Sequence, residues 1–402
     1  MAEAAELTSF RSDVQAWLKD HFPASLAGKS VAMEGGDALG PDEVRWRDAL
    51  AEAGYGAPTW PKEYGGAGLT QRHARILDEE MAAVGASNPI PMITGMGITM
   101  VGPTVLEYGT DEQKQRHLPG IASGQIRWCL GLSEPNAGSD LASLKTKAES
   151  DGDNFVLNGQ KIWTSGADIS QWCGALVRTD TQAAKRDGIS FVLLPMDQPG
   201  VETRPIKLIS GASPFCETYF TDAVAEKRDL LGPLNEGWSV VKRLLQHERQ
   251  SQTGARPGGD AEKVPGITEL AKDYVGTADD GRLADADLRT RITEHLIDSK
   301  AHNLTVARIA AEAKGNPEVS AAASIMKNSA TKVAQGKSEL TLEVMGAKGL
   351  GWEGDFFTEY ELRVVRDWLF GKAISIYGGS YEVQNNIISK NILGLPETTQ
   401  KG

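Results

Sequence analysis

One carboxylate in the chain lies where general-base chemistry could arise. Glu248 belongs to the run Leu244-Leu245-Gln246-His247-Glu248-Arg249. If this run is helical, each residue advances by about 100°, and Glu248 falls nearly in line with Val241, on an apolar stripe. Burial raises the pKa of a carboxyl group toward the range that a base needs near neutral pH. The alternative is that a helix neighbour, or an arginine from another helix, neutralises Glu248.

A second stretch with chemical potential is the octet Ser133-Glu134-Pro135-Asn136-Ala137-Gly138-Ser139-Asp140. Proline, asparagine, glycine and serine at this density predict a sharp loop whose backbone N–H groups and hydroxyls point outward. Loops of this composition are common, and one interpretation of the octet is an ordinary surface turn. The other interpretation is a binding site for a planar, hydrogen-bonding ring.

The residues after the octet predict a sheet that would support the loop. Asp151-Gly152 and Asn158-Gly159 are turn dipeptides that bracket a short strand, Asn154–Asn158. The following strand carries Ile162, Trp163 and Thr164. The tryptophan either packs in the core or lies beside the loop as part of a ring-binding surface.

Length and composition limit the possible classes of protein. The 402 residues exceed what one hydrophobic core usually serves, so two or three domains are expected. The net charge of -12 argues against a nucleic-acid partner, which needs a basic surface. No apolar run reaches the roughly 18 residues of a transmembrane helix, so membrane insertion is not expected. Residues 1–7 resemble neither a signal peptide nor a transit sequence.

Cysteine and histidine usage does not predict a metal site. The three cysteines, Cys129, Cys173 and Cys216, are scattered, and no C-x-x-C motif is present. This usage is typical of the reducing cytoplasm and predicts neither zinc nor a disulfide framework. The six histidines lack ligand spacing, so each is expected to be a surface residue or a hydrogen-bonded one.

The pattern of apolar residues divides the chain into three parts. Residues 1–127 predict an N-terminal helical bundle. It includes helices over Met96–Tyr108 and Asp111–His117, the second opened by a capping box of Thr110 and Gln113. Residues 128–234 contain short strand-like runs between Gly, Asp and Pro, which predict a small β-barrel or β-sandwich domain. Residues 235–402 return to helical spacing and predict a C-terminal four-helix bundle, in which Asp285 opens one long helix and Pro317 starts another. The whole pattern predicts an α+β multidomain fold.

The octet resembles the flavin-binding signature of the acyl-CoA dehydrogenase family, (T/S)-E-P-x-A-G-S-D. Gln160–Gly166 resembles that family's next flavin segment, and the resemblance extends over nearly the whole chain. It implies an FAD-dependent oxidoreductase that converts an acyl-CoA thioester into a trans-2-enoyl-CoA. It also implies that the reduced flavin passes its electrons to a carrier such as electron-transfer flavoprotein.

The usual catalytic base of this family is missing from its usual place. Most members carry it near the C-terminus in a segment I-Y-E-G-(T/S), where this chain has Ile376-Tyr377-Gly378-Gly379-Ser380. A minority, isovaleryl-CoA dehydrogenase among them, place the base on a helix immediately before an arginine. Glu248-Arg249 is similar to that arrangement. The resemblance therefore implies that the base has moved to Glu248.

The resemblance also implies how the reaction would proceed. Glu248 would take the α-proton of the thioester while hydride leaves the β-carbon for flavin N5. The developing enolate oxygen would accept hydrogen bonds from a flavin ribityl hydroxyl and from the backbone N–H at the usual glutamate position, which is Gly378. A backbone N–H needs no side chain, so this role would survive the change to glycine.

Further site residues are implied by the resemblance, position by position. The residues that match flavin-contacting positions are Leu130, Leu132, Ser133, Gly138, Ser139, Trp163, Thr164, Ser165, Ser380 and Glu382. The residues that match CoA-contacting positions are Ser139, Gln246, Arg249 and Gly379. Trp163 would cover one face of the flavin.

The segments with which family members bind a neighbouring subunit's FAD are altered. The R-x-x-F-G segment is missing from residues 277–289, and the family's later Gln with a Gly-Gly pair becomes Glu343 with Gly346-Ala347. Two assemblies stay open. One is an α2β2 heterotetramer in which a related subunit donates the missing Arg and Phe. The other is a homodimer or homotetramer that holds the FAD adenine by other contacts.

Two other activities also stay open. The chain could be an acyl-CoA oxidase or lyase of the same superfamily, although the retained Glu248 favours dehydrogenation. It could instead be a non-catalytic subunit of a heteromeric dehydrogenase. No motif specifies the acyl group, because its recognition depends on the shape of a pocket.

Overall fold

The computed structural model of the chain describes residues 2–29, 39–253, 266–312 and 319–396. The chain divides into two compact units, which are described separately below. The first unit comprises residues 1–206 and 213–263, and the second comprises residues 207–212 and 264–402.

Helices, strands and helices follow one another along the chain. The helices of the first unit are α1 (Ala2–His21), α2 (Pro41–Glu52), α3 (Gln71–Ala83), α4 (Ile90–Thr94), α5 (Gly102–Tyr108), α6 (Asp111–Ala122) and α7 (Gly237–Thr253). Its strands are β1 (Trp128–Gly131), β2 (Lys147–Asp151), β3 (Asn154–Ser165), β4 (Trp172–Arg178), β5 (Ile189–Pro195), β6 (Val201–Ile206) and β7 (Phe215–Glu226). The helices of the second unit are α8 (Ile267–Val275), α9 (Ala286–Glu312), α10 (Val319–Met345), α11 (Glu359–Gly371) and α12 (Tyr381–Asn391).

This architecture confirms the predicted fold class, with helical N- and C-terminal regions and a central β domain. The domain boundaries predicted at residues 127 and 234 stay a prediction. The two compact units divide the chain at other positions. No helix within the described ranges is long and apolar enough to cross a membrane.

The N-terminal helices pack because their apolar residues recur on one face. Val14 and Leu18 of α1, Trp46 and Leu50 of α2, and Leu77 of α3 are all at most 2% exposed and share one core. The Trp46 indole N–H also donates to the carbonyl of residue 87 at 2.8 Å. The region therefore combines apolar burial with a satisfied polar atom, as a stable core requires.

The sheet has seven strands in the order β1-β4-β2-β3-β7-β6, with β5 also paired to β4. β5 separates two cores. Its alternate residues Phe191 and Leu193 pack in one core with Val241 and Leu244 of α7, whereas Val192 packs on the other side with the sheet. Because both faces of β5 are covered by apolar side chains, most of its residues are apolar rather than alternately apolar and polar. The strand thereby anchors α7 to the β domain.

One of the two predicted turns is wrong. Asp151-Gly152 does join β2 to β3 as an antiparallel hairpin. At Asn158-Gly159, however, β3 continues to Ser165, and only its register with β7 shifts. A Cβ on Gly159 would lie 2.5 Å from Thr146 Oγ1. The glycine is therefore required by a close approach within a bulged strand, and the predicted strand Asn154–Asn158 is the first part of a longer one.

The helix predicted over residues 96–108 is interrupted, whereas the capping box after it is confirmed. A wider helical turn spans Gly97–Val101 and precedes α5. The Thr110 N–H donates to Gln113 Oε1 at 2.9 Å, and the Gln113 N–H donates to Thr110 Oγ1 at 3.2 Å. This reciprocal pair starts α6, which continues beyond the predicted end at His117 to Ala122.

The second unit forms around α8, α9 and α10, whose buried residues share one core. Asp285 starts α9 as predicted, because its side chain accepts a hydrogen bond from the Leu288 N–H at 2.9 Å. The predicted start of α10 at Pro317 lies outside the described residues. α11 was not predicted, although Thr358 and Glu361 form a second capping box at its start, with bonds of 2.8 and 3.2 Å.

The bulge at Gly159 gives a first prediction. A Gly159→Ala substitution places a Cβ 2.5 Å from Thr146 Oγ1 and 2.7 Å from Thr146 Cα. We expect this collision to lower the free energy of unfolding by about 1–3 kcal/mol, measured by urea denaturation. Gly152→Ala is the control: its φ is also positive, at +53°, but a Cβ there has nothing within 4 Å. Equal losses in the two variants would contradict the role of the collision.

Candidate functional site

The octet forms a tight turn that is fastened at two buried points. Glu134 and Ala137 exchange both backbone hydrogen bonds, each 3.0 Å long. These two residues are 9% and 2% exposed, whereas Pro135 and Asn136 form the exposed tip. The turn is therefore anchored by the buried Glu134 and Ala137, and the following Gly138-Ser139 segment faces solvent.

A buried ion pair supports this turn. Lys161 of β3 is fully buried, and its Nζ donates to Glu134 Oε1 at 2.9 Å and to the Leu132 carbonyl at 3.1 Å. Burial lowers the pKa of Lys161, although the Glu134 carboxylate opposes this effect. Burial would by itself raise the pKa of Glu134. The Lys161 charge and hydrogen bonds from Thr146 outweigh it, so the pKa of Glu134 is below its ordinary value.

Trp163 is an exposed tryptophan in a left-handed backbone conformation. Its φ is +61° and it is 53% exposed. The pairing of β3 with β7 shifts between Lys161 and Thr164, so Trp163 lies in a bulge. A bulky residue in this conformation costs about 1–3 kcal/mol, and such strain is concentrated at functional sites. The Ile162 N–H donates to the Ser133 carbonyl at 2.9 Å, which fastens the bulge to the octet turn.

The other predicted flavin residues of this unit lie on the same turn and strands but differ in exposure. Leu132, Ser133 and Ser165 are half-buried, and Leu130 is buried at the end of β1. Thr164 is fully buried, and its hydroxyl has no hydrogen-bond partner among the described residues. The structure therefore brings these positions together, with Thr164 beneath the surface rather than on it.

Gly138 leaves space that a ligand could use. Its backbone is not left-handed, and a Cβ built on it would have nothing within 4 Å. Neither backbone strain nor packing against the described residues therefore requires a glycine here, whereas close approach of a bound group to the backbone would require one. With the exposed Trp163 alongside, these residues fit an extended group that carries a planar ring.

The predicted base lies on α7, just beyond the buried stripe of that helix. Val241 and Leu244 are fully buried, and Glu248 is half-buried, so it is less enclosed than the sequence pattern predicted. Gln246, a predicted CoA contact, accepts a hydrogen bond from Arg243 at 3.0 Å. The side chain of Arg249, the other predicted CoA contact on this helix, lies outside the described part of the structure.

Glu107 of α5 holds α7 from a neighbouring helix. Its carboxylate accepts two hydrogen bonds from Arg243, each 2.6 Å long, and His247 Nε2 lies 3.4 Å from it. The hydrogen bond from Arg243 is the main cause that holds the pKa of Glu107 below its ordinary value. Because Arg243 and His247 are four residues apart and lie on one face of α7, this contact fixes that face of the helix against α5.

In the second unit, Gly378 and Gly379 form a turn with a left-handed backbone, at φ values of +67° and +96°. The buried Gln384 donates its side-chain N–H to the Gly378 carbonyl at 2.7 Å. A Cβ on Gly379 would lie 2.5 Å from that nitrogen, so glycine is required there. The peptide groups of the turn are thus oriented by a buried side chain of the following helix.

Ser380 and Glu382 follow this turn at the start of α12. Ser380 Oγ accepts a hydrogen bond from the Val383 N–H at 3.4 Å and so caps the helix. A hydrogen bond from Ser380 also lowers the pKa of the exposed Glu382. Both predicted flavin contacts thus interact with each other at a helix N-terminus.

Glu343 forms an ion pair within the second unit. Its two carboxylate oxygens accept hydrogen bonds from both terminal nitrogens of Arg291, one of them at 2.5 Å. The Arg291 guanidinium lowers the pKa of Glu343. Gly346 and Ala347, which follow, are exposed. In the segment 277–289, the Ala278 N–H donates to the Arg282 carbonyl at 2.8 Å, so part of it is a short turn closed on itself.

Three residues that organise these sites were missed at the level of sequence. Lys161 could have been found, because it shares the inward positions of β3 with Phe155 and Leu157. Glu107 and Gln384 offer no such signal. Their roles depend on partners that only the folded chain brings close.

The described residues contain no group of three or more His, Cys, Asp or Glu side chains that could hold a metal ion. Cys129, Cys173 and Cys216 are free and buried. His117 is buried with its Nε2 3.1 Å from Asp229 Oδ1, so it contacts a carboxylate, as expected of a satisfied histidine.

Three family models together match most of the chain. Residues 5–125 match the N-terminal domain of acyl-CoA dehydrogenase, residues 129–223 match its middle domain, and residues 235–393 match its C-terminal domain. The middle-domain match contains both the octet turn and the Trp163 bulge.

Several known proteins are similar over nearly their full length. Acyl-CoA dehydrogenase IpdE1 of Mycobacterium tuberculosis is 37% identical over 398 residues, which is 97% of this chain and 98% of that protein. A solved structure titled Tcur3481-Tcur3483 steroid ACAD is 29% identical, with a TM-score of 0.73 and 98% of each chain covered. The ChsE4-ChsE5 complex from Mycobacterium tuberculosis is 27% identical, with a TM-score of 0.72 and again 98% of each chain covered.

The contact between α5 and α7 gives a prediction about pH. A Glu107→Gln substitution removes a carboxylate that is about a third exposed, so we expect a loss of only about 0.5–1 kcal/mol at pH 7. The folded state holds fewer protons than the unfolded state, because the pKa of Glu107 is lowered from 4.5. The difference between wild type and variant should therefore be complete above that value and disappear as the pH falls through the folded pKa. A difference that stays constant down to pH 3, measured by thermal denaturation, would contradict this account.

Proposed function

Because the chain belongs to the acyl-CoA dehydrogenase family, whose members are flavin-dependent oxidoreductases, we propose that it binds FAD at the octet turn and desaturates an acyl-CoA between its α- and β-carbons. FAD, when bound, supplies the hydride acceptor. Glu248 is the base that removes the α-proton. The observation that carries this proposal is the half-buried Glu248 on α7, one helical turn after the buried Leu244 and two turns after the buried Val241.

We assign roles in cofactor binding, proton removal and CoA binding to residues of the first unit. The turn from Leu132 to Ser139 offers outward backbone N–H groups to the cofactor, and Trp163 covers one face of its ring. Glu248 follows the buried residues Val241 and Leu244 on α7, and its carboxylate is the proton acceptor. Gln246 and Arg249 would contact the CoA part of the substrate, as would Ser139.

For the second unit, we propose that the Gly378 N–H donates a hydrogen bond to the thioester carbonyl. An N–H donor stabilises the negative charge that develops on this oxygen when the α-proton is removed. Gln384 supports this role because its side-chain N–H donates to the Gly378 carbonyl and thereby fixes the conformation of the Gly378–Gly379 turn. Gly379 would contact the CoA thioester, and Ser380 and Glu382 the flavin. Electron-transfer flavoprotein is the proposed acceptor, and the free thiols support a reducing cytoplasm as the location.

Replacement of the base tests the reaction. We expect Glu248→Gln to keep FAD bound but to slow bleaching of the flavin by acyl-CoA under anaerobic conditions by about 10²–10⁴-fold, since general-base catalysis is worth that much. The substrates tested are straight-chain, branched-chain and steroid-side-chain CoA thioesters, because one similar structure is titled a steroid ACAD. Rapid formation of peroxide in air would instead indicate an oxidase.

The matched control is Lys242→Gln, which changes an exposed residue of the same helix and should leave the rate of bleaching unchanged. If Glu248→Gln bleaches at the wild-type rate, Glu248 is not the base. A non-catalytic role within a heteromeric enzyme is then the better account.

We also propose that this chain works with a related subunit in an α2β2 assembly. The titles of two similar structures name pairs of different chains. Glu343 supports the proposal, since a carboxylate already paired with Arg291 stands where the family resemblance expects an amide. A carboxylate would repel a neighbour's diphosphate, so the second unit would not complete a neighbour's FAD site.

The ratio of FAD to protein tests this assembly. We expect the chain purified alone to hold clearly less than one FAD per chain, because no subunit donates the missing Arg and Phe. The ratio is measured by flavin absorbance after acid release, and the assembly by light scattering on a size-exclusion column. A homo-oligomer with one tightly held FAD per chain would show that the second subunit is unnecessary.

A further inference from the structure

The ion pair beneath the octet turn has no part in the proposed chemistry. We propose that Lys161 and Glu134 are positioning residues for FAD, which hold the octet turn and the Trp163 bulge in the one arrangement that the cofactor needs. The inference rests on the proposed flavin site. It adds to that site two residues that need not contact the cofactor themselves.

Glu134 links three segments of the chain at once. Its Oε1 accepts hydrogen bonds from Lys161 Nζ at 2.9 Å and from the Thr146 N–H at 2.8 Å, and its Oε2 accepts one from the Lys145 N–H at 2.7 Å. The carboxylate thus joins its own turn to β3 and to the segment before β2. Three donors on one buried carboxylate fix its position far more tightly than a surface contact would.

Lys161 orients the first peptide group of the turn. Its Nζ donates to the Leu132 carbonyl at 3.1 Å. Because a trans peptide is planar, the carbonyl of Leu132 and the N–H of Ser133 point in opposite directions. The bond to Lys161 therefore aims the Ser133 N–H away from β3. Ser133 is among the residues that the proposed function assigns to the cofactor.

A hydrogen bond between β3 and the octet turn also positions Trp163. The Ile162 N–H donates to the Ser133 carbonyl at 2.9 Å, so the turn is joined to β3 at the residue before Trp163. A Cβ on Gly131 would lie 3.3 Å from Lys161 Cγ, so the end of β1 passes close to the lysine stem. The lysine is therefore in contact with the strand before the turn, with the turn itself and with the strand that carries Trp163.

A charged pair is a costly way to fill this space, because both groups lose their hydration. Apolar residues of similar volume often give equal or greater stability than a buried ion pair. They cannot, however, donate to the Leu132 carbonyl or accept from the Thr146 and Lys145 N–H groups. The pair is thus explained better by the orientation it gives to the backbone than by stability alone.

The test compares FAD affinity with stability in the full chain, or in its complex if a second subunit is needed for FAD to bind. The variants are Lys161→Met, Glu134→Gln and the double variant. The double variant leaves no unpaired buried charge, and a glutamine still accepts a hydrogen bond from Thr146 or Lys145, so we expect it to fold. We expect its dissociation constant for FAD to rise at least tenfold, with a changed visible circular dichroism of the residual bound flavin.

Asp229→Asn is the matched control. Asp229 is a buried carboxylate of the same unit, held by Arg116 at 2.8 Å and adjacent to His117, but it lies outside the octet turn and β3. Its replacement should lower the melting temperature and leave FAD affinity within twofold of wild type. Each single variant leaves one buried charge unpaired, so the double variant carries the comparison of FAD affinity with stability.

Wild-type FAD affinity in the double variant would overturn the positioning role. So would a loss of affinity in Asp229→Asn as large as that in the double variant, because FAD binding would then follow stability alone. No acyl-CoA is present in this experiment, so a failure of the proposed dehydrogenation would not change its readout.

Discussion

The candidate site depends on the buried contact between Lys161 and Glu134. A loop rich in proline, glycine and serine has many accessible conformations, and ordering it costs entropy. Here a charged group from β3 and two backbone N–H groups meet the Glu134 carboxylate of the loop, so the entropy is lost when the protein folds. A ligand then meets a surface that is already ordered, which favours binding.

The position of α7 is a second organising feature. The family model places residue 235 onward in the C-terminal domain, yet α7 packs on β5 and belongs to the same compact unit as the octet turn. Glu248 and the octet are therefore carried by one unit, whereas Gly378 belongs to the other. A base on α7 has a fixed relation to the β domain that comes directly from the packing of Leu244 against Phe191 and Leu193.

Many locally encoded features follow from the sequence, but not all of them do. The Thr110 capping box forms as predicted, whereas α11, with a capping box of its own, is absent from the sequence predictions. The hairpin turn predicted at Asn158-Gly159 is wrong because the same dipeptide is compatible with either a hairpin turn or a bulge. Only the close approach of Thr146, which comes from the folded chain, distinguishes the two. The octet forms a turn, as its composition predicts, but the burial of Thr164 and the bulge at Trp163 depend on pairing with a strand more than 50 residues away.

The same distinction applies to the charged residues. The stripe of Val241 and Leu244 is visible from helical spacing, but the degree of burial of Glu248 depends on neighbours from other elements. Glu107 and Arg243 are 136 residues apart in sequence, and no local pattern relates them. Residues of this kind are found only when the folded chain is known.

The left-handed backbone at Gly378 restricts which side chains this position can carry. A glutamate at this position would carry a Cβ in a conformation that costs roughly 1–2 kcal/mol, with that Cβ only 3.3 Å from Lys327 Cε. An acidic residue at position 378 is therefore accommodated only with backbone strain or with a rearrangement of the turn and of the Lys327 side chain. The backbone conformation thus limits which residues this position can accept, independently of any role in catalysis.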